Sequence, residues 1–374
     1  MSCFEHAKTL LSRANAGISI PAGDWTLDIG GVVNAYYTST RVSGDAANTT
    51  GTKTASNITT GLLPNYLSVS GKTRQNDLDV AFTISINPGA STTHSGNQGS
   101  QQENRQAFLT FGDASWGSIK LGKDLGIYAS DAILNDMTLL GVGNGAGVAA
   151  GNTTTFGRIG AGYMYADWKS QVSYSSPNFN GFSFTAGVTQ AFSPNTGTTT
   201  APIYTHTSSQ PAFEGKASYA WTGDVAGKVW VSGITQKLDP INETAKAWDL
   251  GATVSAAGFG ATAYYGQGTG VGRGVQMSDV TGQLDSTDWY VQGTYTIPTV
   301  GTKLGASYGE SSIDKAVGGA QELTNEMWTV GAYHPLTKHL NLVAEYSDVK
   351  AKDSTPATAT STAKTISLGA ILFF

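Results

Sequence analysis

Charge is scarce in this chain. Lys, Arg, Asp and Glu together make up 13% of its 374 residues, about half the share of an ordinary soluble domain. A formal net charge of -5 without any basic cluster argues against nucleic acid as a partner. Cysteine is nearly missing: Cys3 stands alone, which excludes a disulfide framework and a thiolate metal site. Long apolar runs are missing as well. None reaches the roughly 18 residues of a membrane-spanning helix, so any membrane role falls to strands. Catalytic patterns are also lacking. His6, His94, His206, His334 and His339 fall in loops, turns or the first residues, and neither H-E-x-x-H nor G-x-S-x-G occurs. Gly266-Gln267-Gly268-Thr269-Gly270 has no strand–loop–helix context to make it a nucleotide loop. The expectation is a protein that is not an enzyme and needs no cofactor.

What is present is alternation. Low charge combined with a neutral mean hydropathy of -0.15 results when apolar and small polar residues take turns along the chain. From Trp25 to Tyr37, Trp25, Leu27, Ile29, Gly31, Val33, Ala35 and Tyr37 fall on one face of a strand, and Thr26, Asp28, Gly30, Val32, Asn34 and Tyr36 on the other. At about 3.3 Å per residue and a tilt near 45°, twelve steps rise roughly 28 Å, close to the apolar band of a membrane barrel. A sandwich strand averages only about 5–6 residues. The pattern recurs at Leu78–Ile86, Trp248–Val254, Trp289–Ile297 and Leu340–Tyr346, and helical spacing is nowhere comparably strong.

The connections alternate too. Short ones fall at Gln75-Asn76, Asp113–Trp116, Ser176–Asn180, Gly223-Asp224, Ala257-Gly258, Pro298–Gly301 and Pro335–His339. Long polar ones span Thr40–Pro64, Pro88–Gln102, Leu125–Gly157, Ser193–Gln210, Gly268–Asp285 and Asp353–Ala363. Short turns at one end and long loops at the other, with roughly sixteen strands, make the layout of a transmembrane antiparallel β-barrel. The chain ends on a strand. Ile366, Leu368, Ala370, Leu372 and Phe374 share one side, and Thr365, Ser367 and Gly369 the other. An unpaired final strand is an open edge, and in lipid only closure satisfies it, so this strand is expected to pair with Trp25–Tyr37. Residues 1–16 contain Ala14-Asn15-Ala16, a small-residue cleavage pattern, but no apolar h-region precedes it. They are set apart as a leader or altered N-terminus, leaving 17–374 as the barrel.

The hairpin Arg105-Gln106-Ala107-Phe108, the strand ending Leu121-Gly122-Lys123, the long loop after it, the stretch Tyr174–Phe182 and the terminal Phe374 follow one another in an order that resembles the general porins of Gram-negative outer membranes. The resemblance covers the chain from about Asp24 onward. It implies a homotrimer of 16-stranded barrels in the outer membrane, each conducting small hydrophilic solutes and ions passively. It also implies contact with outer-membrane lipid and lipopolysaccharide, and a terminal strand whose Phe374 and Leu372 are read by the barrel-assembly machinery. Pro88–Gln102 takes the place of the loop that latches onto a neighbouring subunit.

The same resemblance implies that Leu125–Gly157 folds into the barrel as the third loop and narrows it. Asp136 falls where porins carry a constriction aspartate, with Asp131 a further loop acid, and Arg105 where they carry a wall arginine. Opposed charges across a narrow aqueous gap make a transverse field that favours polar solutes. Lys120 and Lys169 are further wall cations, and Arg158 is expected at the base of the loop. The pattern also departs from the family. Leu140 stands in place of a second loop acid, Tyr66 or Leu67 in place of a second-strand arginine, and Gly141–Gly151 is uncharged. A partly apolar constriction is expected, which leaves open a channel preferring organic acids or aromatic compounds, or an adhesin whose loops plug the lumen. Strand parity points Asp28, Asp77, Asp79, Glu214, Lys216, Asp249, Asp288, Lys303 and Glu345 inward, a set leaning acidic. The tryptophans at 25, 168, 221, 230, 248, 289 and 328 are expected to anchor the membrane interfaces.

Overall fold

Two-residue turns at positive φ fold neighbouring strands back on each other. Asn76 and Asp77 sit at 49° and 61°, and Ala257 and Gly258 at 49° and 85°; both central residues left-handed is the turn whose twist matches that of paired strands. A computed structural model describes residues 17–44, 53–91, 102–144, 154–192, 208–239, 242–277, 283–314, 322–352 and 360–374. The segment 1–16, most of the second long loop and part of the Gly/Ala stretch at 141–151 lie outside these.

The strands, in chain order, are β1 (Ile18–Ala22), β2 (Trp25–Gly44), β3 (Thr54–Thr59), β4 (Tyr66–Gln75), β5 (Leu78–Pro88), β6 (Gln102–Glu103), β7 (Ala107–Asp113) and β8 (Gly117–Leu125). After the long third loop come β9 (Trp168–Ser175), β10 (Phe182–Thr189), β11 (Ala212–Trp221), β12 (Ala226–Leu238), β13 (Glu243–Ala256) and β14 (Phe259–Thr269). The last are β15 (Asp285–Thr296), β16 (Lys303–Ile313), β17 (Leu323–Pro335), β18 (Leu340–Lys352) and β19 (Thr360–Phe373). Sixteen of them close an antiparallel ring, running β2, β4, β5, β7 and on through β19 back to β2. The closing register runs from Ser361 opposite Gly44 to Phe373 opposite Val32, and Phe374 exchanges two backbone hydrogen bonds with Gly31. The terminal strand therefore pairs with the first long one, as its alternation requires.

Three strands lie outside the ring. β1 continues the line of β19 along β2, with Ile18 opposite Ile29. β3 lines the upper part of β2 within a stretch expected to be loop. Its Thr, Ser and Asn side chains carry no apolar alternation, so the pairing was invisible in hydropathy. β6 is a two-residue ladder beside the end of β5. Connections at 239–242 and 314–322 complete eight loops at one rim, against seven turns at the other; both are too short to alter local composition.

Alternation sorts the faces. Val33, Tyr37, Leu250, Val291, Ile366 and Leu368 point outward and are exposed, while Asn34, Thr38, Asp249, Tyr290, Thr365 and Ser367 point inward and are buried. An apolar exterior around a polar interior is the transmembrane arrangement. One expectation about tryptophan fails. Trp230 lies between the outward Val229 and Val231, faces the interior and is buried against Gly251, where an added Cβ would meet its ring. Trp168 also faces inward, with the Arg105 guanidinium 5.7 Å from its ring centre. The buried apolar clusters form where inward side chains meet the third loop.

Candidate functional site

The third loop leaves β8 after Leu125 and rejoins the wall only at Trp168, eleven residues beyond Gly157, where its end was expected. Its described part holds a one-and-a-half-turn helix, α1 (Ser130–Asn135), a 3-10 turn (Met137–Leu140), and a return segment from Thr154. Asp136 joins the two helical pieces. Its carboxylate accepts from the Thr138 backbone N–H at 2.9 Å and the Thr138 hydroxyl at 2.7 Å, capping the 3-10 turn.

The loop lies across the interior on a row of wall partners. Glu214 of β11 accepts from the backbone N–H groups of Ile127 and Tyr128 at 2.8 and 2.9 Å. Lys216 of β11 and Lys228 of β12 both pair with Asp131, the first at 3.2 Å. Burial would raise the Asp131 carboxyl, but the two ammonium charges hold it below the ordinary carboxylate value. On β15 the Gln292 side chain accepts from the Met137 N–H at 2.7 Å and donates to the Asn135 carbonyl at 3.0 Å. Tyr290 donates to the Ala132 carbonyl at 3.0 Å. On β18 Glu345 accepts from the N–H groups of Val142 and Gly143 at 2.7 and 2.8 Å, and from Tyr333 on β17 at 2.6 Å. Adjacent backbone N–H groups converging on one carboxylate form an anion nest. Tyr36 of β2 donates to the Leu140 carbonyl at 2.8 Å.

The return segment is tied down as firmly. Arg158 is fully buried and donates to the Met327 carbonyl at 2.9 Å and to Ser307. Burial pushes its pKa below the ordinary value, and the Asp136 charge opposes that. Tyr163 donates to Asp136 at 2.8 Å and packs against Tyr290 and Tyr264. Lys169, at the start of β9, donates to Glu214 at 2.6 Å and to Gln276 at 2.7 Å, with both carboxylate and ammonium wholly buried. Gln276 belongs to the loop after β14. That loop also turns inward: the Gly274 carbonyl accepts from the Tyr165 N–H at 2.8 Å, and Met277 joins the cluster around Tyr128 and Met164.

Among the described residues a cavity of about 610 Å³ lies between the third loop and the wall from β2 to β8. On the wall side it meets Asp28, Ser68, Ser70, Lys72 and Asn87, and near the loop rim Arg105, Gln106 and Asp124. On the loop side it meets Ile133, Leu134, Leu139, Phe156, Ile159 and Tyr165, with Trp168 beside them. The loop side is mostly apolar apart from Thr154 and Thr155, and the opposite side sets its serines and charges of both signs among Ile29, Leu62, Leu63, Pro64 and Tyr66.

Of the residues singled out for the constriction, Arg105 lines this cavity. It precedes β7, donates to Glu103 at 2.7 Å and to Thr154 at 3.3 Å. Lys120 is ion-paired with the passage residue Asp124. Asp131, Asp136, Arg158 and Lys169 lie between loop and wall. The facing Arg105–Asp136 pair is therefore not what the loop builds: Asp136 turns under the loop to Tyr163 because its cap and that tyrosine hydroxyl satisfy it there. Four of the inward acids, Glu214, Asp249, Asp288 and Glu345, are buried rather than bathing an open lumen. Asp79 instead pairs with Arg74 near the turns, exposed. Sequence reasoning missed Lys72, Asp124, Phe156 and Ile159 as lining residues, and Glu214 and Glu345 as loop clamps. Parity signalled which way the strand residues face, but nothing signalled their loop partners.

A family model described as Gram-negative porin matches residues 6–354. Among curated proteins no sequence matches the chain. Several solved structures share the fold. An anion-selective porin from Comamonas acidovorans superposes with a TM-score of 0.64 at 16% identity, over 94% of this chain and 100% of that one. The outer membrane channel DcaP of Acinetobacter baumannii gives 0.66 at 16%, over 96% and 99%. Salmonella typhi OmpF, in complex with daunomycin, gives 0.64 at 17%, over 94% and 100%. At these identities the likeness is one of fold.

Proposed function

The chain belongs to the Gram-negative porin family, channels for passive diffusion of small hydrophilic solutes across the outer membrane, and we propose that its solute path is the passage between the third loop and the β2–β8 wall. The observation that carries this is the cavity itself, whose lining runs from Asp28 and Lys72 toward the turn rim to Asn87, Arg105 and Asp124 toward the loop rim. Arg105, Asp124, Lys72 and Asp28 are the charges that meet a solute, and Lys120 moderates Asp124. Asp131, Asp136, Arg158 and Lys169 act on the constriction indirectly, by fixing the loop that forms it.

On this reading three copies assemble through the outward apolar side chains of the same wall, including Val33, Leu67, Ile84, Ile86 and Leu109, which are all exposed in the single chain. A solved porin-like neighbour, OmpT of Vibrio cholerae, is described in a trimer form, which supports that assembly. The remaining perimeter faces lipid and lipopolysaccharide, and Phe374 with Leu372 serves the assembly machinery as its tag. On the same reading the barrel unit is 17–374, with 1–16 a leader or altered N-terminus, which amino-terminal sequencing of the membrane form checks. The channel itself is tested in a planar bilayer. Folded protein should give stepwise conductance, and Arg105→Ala, which removes one positive charge from the lining, should move its ion selectivity toward cations. Folded, detergent-purified protein that gives no steps would sink the proposal.

A further inference from the structure

Resting on that reading of the passage, we infer that it favours small solutes that carry an apolar face and a zwitterionic edge, the type being an α-amino acid with an aromatic side chain. The two sides of the cavity differ in character. The loop side presents Leu134, Leu139, Phe156 and Tyr165, and Leu134, Phe156 and Tyr165 are the partly buried margin of the cluster that holds the loop together. The wall side sets Ser68, Ser70, Asp28 and Lys72 among Ile29, Leu63 and Tyr66, with Arg105 and Asp124 further along and buried at its edge. Those four charged groups sum to zero, two of each sign, so neither a net anion nor a net cation is selected over the other. A solute with both signs at one end finds partners for each on the wall.

In an ordinary narrow aqueous pore with charges on both sides, an apolar group gains nothing and is slowed by its bulk. Here an apolar group turned toward the loop leaves water and meets apolar surface, which is favourable, while the polar edge keeps hydroxyl and charged partners. The contacts are spread along the path instead of gathered in one enclosed pocket. A solute is thereby drawn in without being trapped, as conduction requires.

Swelling of proteoliposomes made with the full chain tests this. L-Phenylalanine and L-glutamine are both neutral zwitterions, and phenylalanine is the bulkier. Each rate is divided by that of arabinose in the same vesicles, which corrects for the number of folded channels. The expected phenylalanine-to-glutamine ratio is at or above one, and it should fall below one in Phe156→Ser and in Leu134→Ser. A wild-type ratio below one, with arabinose entering freely, overturns the inference and leaves the channel standing. A high ratio that survives both substitutions overturns the assignment to the loop face. Absence of arabinose swelling overturns the channel reading and the inference with it.

Discussion

The two sides of this barrel's interior are built on opposite terms. From β11 round to β18 the inward side chains are consumed by the third loop: Glu214 and Glu345 cradle backbone N–H groups, two lysines grip Asp131, and Arg158 reaches the Met327 carbonyl. From β2 to β8 most inward side chains, Val32 and Tyr36 of β2 apart, are small or polar and face a cavity, with the loop's apolar margin opposite. The inward-turned loop after β14 adds to the filled side through Gln276. A charge pointing into a barrel therefore has two meanings. On the filled side it is a structural fastening, costly to remove because a buried partner is left alone. On the open side Lys72 is exposed and Asp28 half-buried, free to act on whatever passes, while Arg105 and Asp124 are buried at the edge of the cavity and paired with Glu103 and Lys120.

The contrast is broken most forcefully at Lys169. Replacing it with Met leaves the wholly buried Glu214 carboxylate without its ammonium partner, and breaking a buried pair in this one-sided way costs about 3–5 kcal/mol. Unfolding in urea from detergent micelles should shift by that much, and single channels should become noisier as the loop after β14 loosens. An unfolding midpoint like that of the unaltered protein would show that the filled side is not held by its charges. Next in size is Glu345→Gln. The amide is a weaker acceptor for Val142, Gly143 and Tyr333, and hydrogen bonds to charged groups contribute about 1.5–3 kcal/mol. The midsection of the loop should lift from β18, raising mean conductance. Conductance at the unaltered level with normal noise would mean the neighbouring Tyr36 contact suffices. Smaller again is Gln292→Ala, which removes neutral hydrogen bonds with the Met137 N–H and the Asn135 carbonyl, each worth about 0.5–1.5 kcal/mol. It should add flicker to the open channel without a change in the unfolding curve beyond that range.

Most of the barrel is legible in the sequence, because membrane barrels write their facing rule into every second residue. Leu368 and Ser367, or Val33 and Asn34, declare their sides without any knowledge of their partners. Rule and residue conflict at Trp230: its parity points inward, yet the general preference of tryptophan for interfaces suggested otherwise, and parity wins because Gly251 leaves room for the ring. The fastenings are another matter. Glu345 and Val142 are 203 residues apart, and a backbone N–H carries no mark in sequence of what will accept it. Asp136 was found by resemblance, but its partner was not, since the choice between Arg105 across the gap and Tyr163 underneath depends on how the return segment folds. The apolar departures at Leu140 and Gly141–Gly151 were readable as a loss of charge, whereas the face that lines the passage, Leu134, Phe156 and Tyr165, comes from segments that only the folded loop brings together.

The gentlest test sits on the open side. Lys72 is exposed, faces the passage across from the loop, and lies beside Asp28 on the neighbouring strand, where Thr26 is its register partner. Exposed substitutions away from caps and networks change stability by no more than about 0.5 kcal/mol, so Lys72→Gln should leave unfolding where it was. It removes one of the two positive charges that meet a solute, and the lining then leans negative. In a salt gradient the reversal potential should move toward that of a cation-preferring channel, and the shift should shrink as salt is raised and the charge is screened. The combination is what distinguishes the two sides. A change in selectivity with untouched stability places Lys72 among solvated pore charges, while a loss of stability with untouched selectivity would place it among the fastenings and move the solute path elsewhere in the barrel.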